Sequence, residues 1–143
     1  MSFLLDVNVL IALIDPTHLN HDAAHEWFAG VGSATWATCP ITENGVIRIV
    51  GRSSYPNSPG SPTVMAALLR KLCALPGHVF WSDMLSLLDA SLVDISSLTS
   101  PRQVTDSYLL ALAVSRSGQL ATFDRHLSSK AVIGGERGLC VIG

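Results

Sequence analysis

Charged residues are scarce in this sequence. They make up 14% of its 143 residues, whereas hydrophobic residues make up 48%, so the chain has material for a core and does not have a disordered composition. Its length predicts one compact domain that buries roughly 68–70% of the surface exposed by the unfolded chain. The formal net charge of -2 excludes a basic protein that coats nucleic acid by neutralising phosphates alone.

The sequence also lacks the features of a targeting or membrane segment. No lysine or arginine precedes Arg48, whereas a signal peptide begins with a basic region. The apolar run from Val9 to Ile14 is far shorter than the roughly 20 residues that span a bilayer. We therefore expect a cytoplasmic protein.

Cysteine is sparse and irregularly spaced. The three cysteines, Cys39, Cys73 and Cys140, form no CxxC pattern and are odd in number. They therefore indicate neither a zinc site nor a disulfide framework. We expect buried free thiols.

Short apolar runs alternate with helical patterns along the chain. Strands are predicted at Phe3–Leu5, Ala34–Thr38, His78–Trp81, Leu120–Phe123 and Cys140–Ile142. Helices are predicted at Val7–Ile14, His21–Ala29, Pro40–Val50, Pro62–Leu75, Met84–Ala90 and Asp106–Ser117, with Asn20 and Thr105 as caps of the second and the last. This alternation indicates an α/β fold with a mostly parallel sheet and helices on both faces.

Four acidic residues occur where such a fold forms its ligand-binding edge. Asp6 and Asp124 directly follow apolar strands, and parallel strands end at the same edge of the sheet. Glu43 and Asp106 lie in the first turns of helices that can reach that edge. The ordinary role of a single such acid is a cap, a helix-dipole partner or a surface charge, and this alternative is strongest for Asp106.

Converging carboxylates would favour a particular chemistry. They repel one another, and a divalent cation relieves that repulsion. Oxygen ligands favour Mg²⁺ or Mn²⁺ over zinc, and Mg²⁺ completes its shell with water and phosphate oxygens. Such ions lower the pKa of a bound water and neutralise charge on a phosphate. The reaction class that fits is phosphodiester hydrolysis with one or two ions.

The segments around the four acids resemble the acidic motifs of the PIN domain. These segments are LLDVNVLIALID, ITENGVIRIV, QVTDSYLLALA and LATFDRHL. They occur in the same order as in that family, from residue 3 to about residue 128. Among PIN domains they look most like the VapC-type toxins of bacterial toxin–antitoxin pairs.

The resemblance implies a fold, an activity and a set of partners. Residues 1–143 would form a single PIN-like nuclease domain, a three-layer α/β/α sandwich around a mostly parallel sheet. The domain would be a toxic endoribonuclease that requires Mg²⁺ or Mn²⁺. Its partners would be an RNA substrate, a VapB-type antitoxin and a second copy of the chain.

The resemblance also implies residue roles. Asn8 would steady the first acid, and Thr105 would cap its helix and could hydrogen-bond a carboxylate. The residues implied as catalytic metal ligands are Asp6, Glu43, Asp106 and Asp124.

Several basic residues could serve either binding or local structure. Arg125 and His126 follow the fourth acid and could contact a phosphate or acidic groups of the antitoxin, although a capping or solvated role fits equally well. His21 and His25 share a helix face, as a metal-binding pair would. No third ligand converges with them in the sequence, so a partly solvated helix face is the preferred interpretation.

Two other functions fit the acidic residues. The chain could be a non-catalytic module whose acids dock a basic partner peptide, and a metal titration with a stability readout would separate that from an enzyme. It could also be a phosphatase or phospho-acceptor domain with Asp6 as the nucleophile. The sequence identifies neither the RNA that is cut nor the antitoxin.

Overall fold

A computed structural model of the protein describes residues 1–143 and contains one sheet of five parallel strands. They run in the spatial order β3-β2-β1-β4-β5, so β1 is central and β3 and β5 form the edges. The strands are β1 (Phe3–Leu5), β2 (Trp36–Thr38), β3 (His78–Phe80), β4 (Gln119–Thr122) and β5 (Leu139–Val141).

Five α-helices cover the two faces of this sheet. Side chains alternate along a strand, so Phe3 and Leu5 pack with residues of the first four helices, whereas Leu4 packs with the fifth. This arrangement confirms the predicted α/β/α sandwich. The helices are α1 (Val7–Ile14), α2 (His21–Gly30), α3 (Pro40–Val50), α4 (Pro62–Cys73) and α5 (Gln103–Ser115). None of them has the length and apolar character needed to cross a membrane.

The helix predicted at Met84–Ala90 is wrong, because these residues form an irregular segment with turns. Met84 and Leu88 are 85% and 86% exposed, so their spacing marks no buried helix face. The side chains of Ser86 and Asp89 accept hydrogen bonds from the backbone N–H groups of Leu88 and Ser91. Such local bonds compete with helical ones.

The predicted start of the last helix is also wrong. Helix α5 begins at Gln103, so Thr105 is an exposed residue inside its first turn and does not cap it. The Gln103 side chain instead accepts a hydrogen bond from the backbone N–H of Thr99 at 2.9 Å. Asn20, the cap predicted for α2, occupies the cap position but makes no capping bond with its side chain.

The cysteines are free thiols, as predicted, but they differ in burial. Cys39 is fully buried, whereas Cys73 and Cys140 are only half-buried. The prediction of burial therefore holds fully for one of the three.

Asp15 connects the end of α1 to the loop after α3. Its buried carboxylate accepts hydrogen bonds from the Tyr55 hydroxyl, from the Asn57 amide at 2.7 Å, and from the backbone N–H and hydroxyl of Thr17 at 2.9 and 2.8 Å. Burial alone would raise the pKa of Asp15, but these hydrogen bonds outweigh it and hold the pKa far below its usual value.

We expect Asp15→Asn to lower the free energy of unfolding at pH 7 by about 2 kcal/mol, because charged acceptors make the stronger hydrogen bonds. The folded-state pKa of Asp15 lies below its unfolded value of about 3.9. Its contribution is therefore present above about pH 4 and is lost as the pH falls through the folded-state pKa. Urea unfolding across this range should show a weaker acid dependence in the variant than in the parent chain.

Asp22→Asn is the matched control for this measurement. It removes the same charge from an exposed position in the first turn of α2. An Asp15→Asn variant that loses stability on acidification as steeply as the Asp22→Asn control would contradict the role given to Asp15.

Candidate active site

Asp6 lies at the centre of the carboxyl edge of the sheet, between β1 and α1. It is only 7% exposed. Its Oδ1 accepts a hydrogen bond from the backbone N–H of Val7 at 2.8 Å, which caps α1. Its Oδ2 accepts another from the Thr122 hydroxyl at the end of β4, also at 2.8 Å. Both oxygens of this carboxylate are therefore fixed in position.

Thr122 links three of the predicted site residues through one fully buried hydroxyl. Its Oγ1 donates to Asp6 and accepts from the Asn8 amide at 3.1 Å and from the backbone N–H of Asp124 at 3.0 Å. Asn8 also accepts from the backbone N–H of Phe123 at 3.2 Å. Asn8 is thus connected to Asp6 through the Thr122 hydroxyl. Thr122 was not predicted as a site residue, although a threonine two residues before the fourth acid was the available signal.

Asp106 and Asp124 line one cleft. Asp106 projects from the first turn of α5, and Asp124 is exposed in the loop after β4. The Asp124 side chain accepts a hydrogen bond from the backbone N–H of His126 at 2.9 Å. The cleft has a volume of about 370 Å³ and is lined by Ser100, Arg102, Gln103, Asp106, Asp124, His126, Leu127 and Ser128.

The charges of neighbouring aspartates affect the pKa values of Asp6 and Asp106. Burial, followed by the charges of Asp6 and Asp124, raises the pKa of Asp106 to about 6. Burial also raises the pKa of Asp6, hydrogen bonds from Thr122 and Val7 oppose that rise, and Asp124 adds to it. No basic side chain contributes to either shift. The structure therefore places the Asp6 and Asp124 carboxylates close enough to Asp106 for their charges to disfavour its ionised form.

Glu43 lies further along the same edge, in the first turn of α3. Its Oε2 accepts a hydrogen bond from the Thr38 hydroxyl at 2.6 Å, and the same hydroxyl oxygen is 2.8 Å from Nε2 of His78. A hydroxyl has one hydrogen, and Thr38 donates it to Glu43, so we assign the Nε2 proton of His78 as the donor to Thr38.

Glu43 also affects the ionisation of two neighbours. Burial and then the Glu43 charge raise the pKa of the Cys73 thiol. Burial lowers the pKa of His78, although Glu43 opposes that change. Glu43 thus affects the ionisation of Cys73 and His78, whereas Asp124 affects that of Asp6 and Asp106.

The basic residues near the fourth acid differ in where they lie. His126 lines the acidic cleft, whereas Arg125 donates from its guanidinium to the Gly143 carbonyl at 2.8 Å. Arg102, which our sequence analysis missed, also lines the cleft. It lies four residues before Asp106 and directly precedes α5, and residues four apart on a helix lie on the same side.

The paired histidines of α2 serve the preceding helix. His21 Nδ1 lies 2.7 Å from the Ala12 carbonyl oxygen, and His25 Nε2 lies 2.8 Å from that of Leu13. These carbonyls belong to the last turn of α1 and have no partner within that helix. Since His21 is half-buried and His25 is exposed, the partly solvated face preferred in the sequence is what the structure shows.

The chain belongs to the PIN-domain family, whose model matches residues 3–133. It is 46% identical over 134 residues to ribonuclease VapC44 of Mycobacterium tuberculosis, covering 94% of each chain. It is 43% identical over 134 residues to ribonuclease VapC39 of the same organism, covering 94% of this chain and 96% of that one. The predicted family is therefore confirmed.

A solved structure shares the fold. The crystal structure of Mycobacterium tuberculosis VapC20, a sarcin–ricin loop cleaving toxin, matches with a TM-score of 0.62. The match covers 92% of this chain and 97% of that chain at 14% sequence identity. At that identity the likeness concerns the fold alone.

Proposed function

We propose that the protein is a divalent-metal-dependent endoribonuclease of the VapC type that hydrolyses RNA phosphodiesters and acts as the toxin of a toxin–antitoxin pair. One observation carries this proposal. Asp6, Asp106 and Asp124 lie at the carboxyl edge of the sheet, and the charges of Asp6 and Asp124 add to the rise that burial causes in the pKa of Asp106. The chain's relatives VapC44 and VapC39 are named ribonucleases, which supports the reaction class.

The donor set of this cluster suits Mg²⁺ or Mn²⁺. Its donors are carboxylate oxygens, and a divalent cation would remove the repulsion that, together with the larger effect of burial, raises the pKa of Asp106. We propose Asp6, Asp106 and Asp124 as ligands, with Glu43 as the fourth acid of the site. When bound, the metal supplies an activated water and neutralises charge on the phosphate.

The chain's own residues would bind and orient the RNA. Thr122 and the Val7 N–H hold the Asp6 carboxylate in one orientation. Arg102 and His126 line the same cleft as Asp106 and Asp124, and we propose that they contact phosphates next to the scissile bond. Affinity for RNA would then come from the metal and these few local groups, in agreement with a net charge of -2.

The proposed function requires an antitoxin partner and a location where RNA is present. We propose that a VapB-type antitoxin covers the acidic cluster with a basic group, which would relieve the same repulsion as the metal. We further propose that the chain acts as a homodimer in the cytoplasm, where RNA and the antitoxin are available.

A metal titration tests this function. We expect saturating Mn²⁺ to raise the free energy of unfolding by about 2.7 kcal/mol at 100 times its dissociation constant. Asp6→Asn should abolish most of this gain and also RNA cleavage, and a chelator should abolish cleavage by the parent chain. Thermal unfolding and a labelled RNA substrate provide the two readouts, with Asp22→Asn as the charge-matched control.

Two sets of results would contradict the proposed function. Full cleavage in the presence of a chelator, or by Asp6→Asn, would overturn the proposed function. A chain that gains no stability from Mn²⁺ and cuts no RNA would favour the module that docks a basic peptide.

A further inference from the structure

Three chemically different donors form a second cluster around Glu43. A carboxylate oxygen of Glu43, the Cys73 sulfur and a ring nitrogen of His78 all lie within 4.8 Å of one another. All three residues are half-buried. They come from the first turn of α3, the last residue of α4 and the first residue of β3. The packing of three separate elements therefore creates the cluster.

The donor types of this cluster differ from those of the aspartates. Thiolate sulfur and imidazole nitrogen favour zinc, whereas Mg²⁺ and Mn²⁺ prefer oxygen ligands. Tetrahedral bonds of about 2.0–2.3 Å bring neighbouring ligand atoms to roughly 3.5 Å from one another. The observed limit of 4.8 Å is close to that arrangement, and rotations of three half-buried side chains can close the difference.

Thr38 already orients two of the three donors. Its fully buried hydroxyl is 2.6 Å from Oε2 of Glu43 and 2.8 Å from Nε2 of His78. This bridge limits the positions that the two side chains occupy before an ion arrives. A bound ion would replace one or both hydrogen bonds, and a water molecule would complete a tetrahedral shell of three protein ligands.

We propose that Glu43, Cys73 and His78 bind a thiophilic divalent cation of the zinc class, and that this ion inhibits RNA cleavage by withdrawing Glu43 from the acidic site. On binding, the Cys73 S–H bond breaks, its proton passes to solvent, and the sulfur electron pair forms the bond to the metal. Nothing is oxidised or reduced. The inhibition depends on the proposed ribonuclease function, whereas the binding of the ion does not.

Cobalt titration of the full chain tests the binding. Co²⁺ accepts the same ligands as zinc, and a cobalt–thiolate bond adds a charge-transfer band in the near ultraviolet. With excess Mg²⁺ and a non-chelating reductant, we expect the parent chain to show a saturable band that Zn²⁺ removes. Cys73→Ser should abolish the band, and Glu43→Gln and His78→Gln should each weaken cobalt binding at least tenfold.

Cys140→Ser is the matched control, because Cys140 is also a free, half-buried thiol. It should retain the full band. Circular dichroism and thermal unfolding verify that each variant is folded, and Cys73→Ala provides a second test of the thiol. Absence of the band in the parent chain, or an equal band in folded Cys73→Ser and Cys73→Ala, would overturn the proposed site.

Inhibition is measured separately, with each variant compared with its own zinc-free rate in Mg²⁺. We expect zinc to inhibit the parent chain and Cys140→Ser alike, whereas Cys73→Ser should require at least tenfold more zinc. Equal zinc sensitivity of the parent chain and Cys73→Ser would overturn the inhibitory role. A parent chain that binds cobalt but cuts no RNA would support the metal site and contradict the ribonuclease function.

Discussion

Replacing Asp106 with asparagine should lower RNA cleavage by about 100-fold or more and should also make the metal-free chain more stable at neutral pH. The two effects share one cause. Burial and the charges of Asp6 and Asp124 make the ionised form of Asp106 unfavourable, as its pKa of about 6 indicates. An amide of similar shape removes that repulsion, but it also removes a negatively charged ligand that a metal ion requires.

The pH dependence follows from the direction of the pKa shift. The folded-state pKa of about 6 exceeds the usual value of 3.8, so the folded chain binds this proton more tightly than the unfolded chain. The resulting stability is fully present below about pH 4 and is lost as the pH rises through 6. Asp106→Asn avoids that loss, and we expect it to gain on the order of 1 kcal/mol at pH 7 after screening of this partly exposed group.

Urea unfolding with a chelator and with saturating Mn²⁺ measures these effects. Without metal the variant should be the more stable protein, and with Mn²⁺ the order should reverse, because the parent chain binds the ion more tightly. Asp22→Asn removes one carboxylate from the first turn of another helix and should show neither effect. A metal-free Asp106→Asn variant that is less stable than the parent would contradict the raised pKa of Asp106 and the repulsion inferred from it.

The position of Asp6 and Asp124 at the carboxyl edge of the sheet could be predicted from the sequence, because it depends only on the residues next to each acid. Phe3–Leu5 is an apolar run too short for a helix, and it ends at an acid, which places Asp6 at the carboxyl end of a buried strand. Asp124 follows β4 after one intervening residue for the same reason. The proximity of Asp106 to Asp6 was not readable from spacing, and the resemblance to PIN domains supplied it. The catalytic and metal-binding roles of these residues stay predictions.

Features that depend on packing between distant segments escaped the sequence analysis. Cys73 and His78 lie beside Glu43 only because α4 ends where β3 begins, next to the start of α3. The helix predicted at Met84–Ala90 was wrong because no other element covers two of its apolar residues. Its apolar spacing suits a helix, but Met84 and Leu88 remain exposed, and a pattern of apolar residues predicts a helix reliably only where another element covers it.

Thr122→Val should weaken Mn²⁺ binding by about 10- to 100-fold, a loss typical of residues that orient metal ligands. Valine has nearly the shape of threonine, so the core around β4 stays filled. The change leaves Oδ2 of Asp6 without its donor and leaves the Asn8 amide and the Asp124 N–H without an acceptor. We also expect the free energy of unfolding to fall by about 2–4 kcal/mol, because the buried Asp6 carboxylate loses a hydrogen-bond donor and two less buried groups lose their acceptor.

Thr42→Val is the control that distinguishes a loss of Asp6 positioning from a general loss of stability. Thr42 is also fully buried, but its hydroxyl bonds only to Cys39 at the start of α3. It should lose stability and keep its Mn²⁺ affinity, whereas Thr122→Ser should restore both properties. Comparable Mn²⁺ affinities in Thr122→Val and Thr42→Val would show that Thr122 contributes only to folding.

The pH profile of cleavage gives a further readout of Thr122. Its hydrogen bond lowers the pKa of Asp6 against the rise that burial causes. Without that bond the pKa of Asp6 rises further, so Asp6 becomes available as a metal ligand only at higher pH. The acidic limb of the cleavage profile should therefore shift toward alkaline pH in Thr122→Val and remain in place in Thr42→Val. If the Thr122 hydroxyl served only to fill the core, Thr122→Val and Thr42→Val would both be less stable, and neither would shift the acidic limb of the cleavage profile.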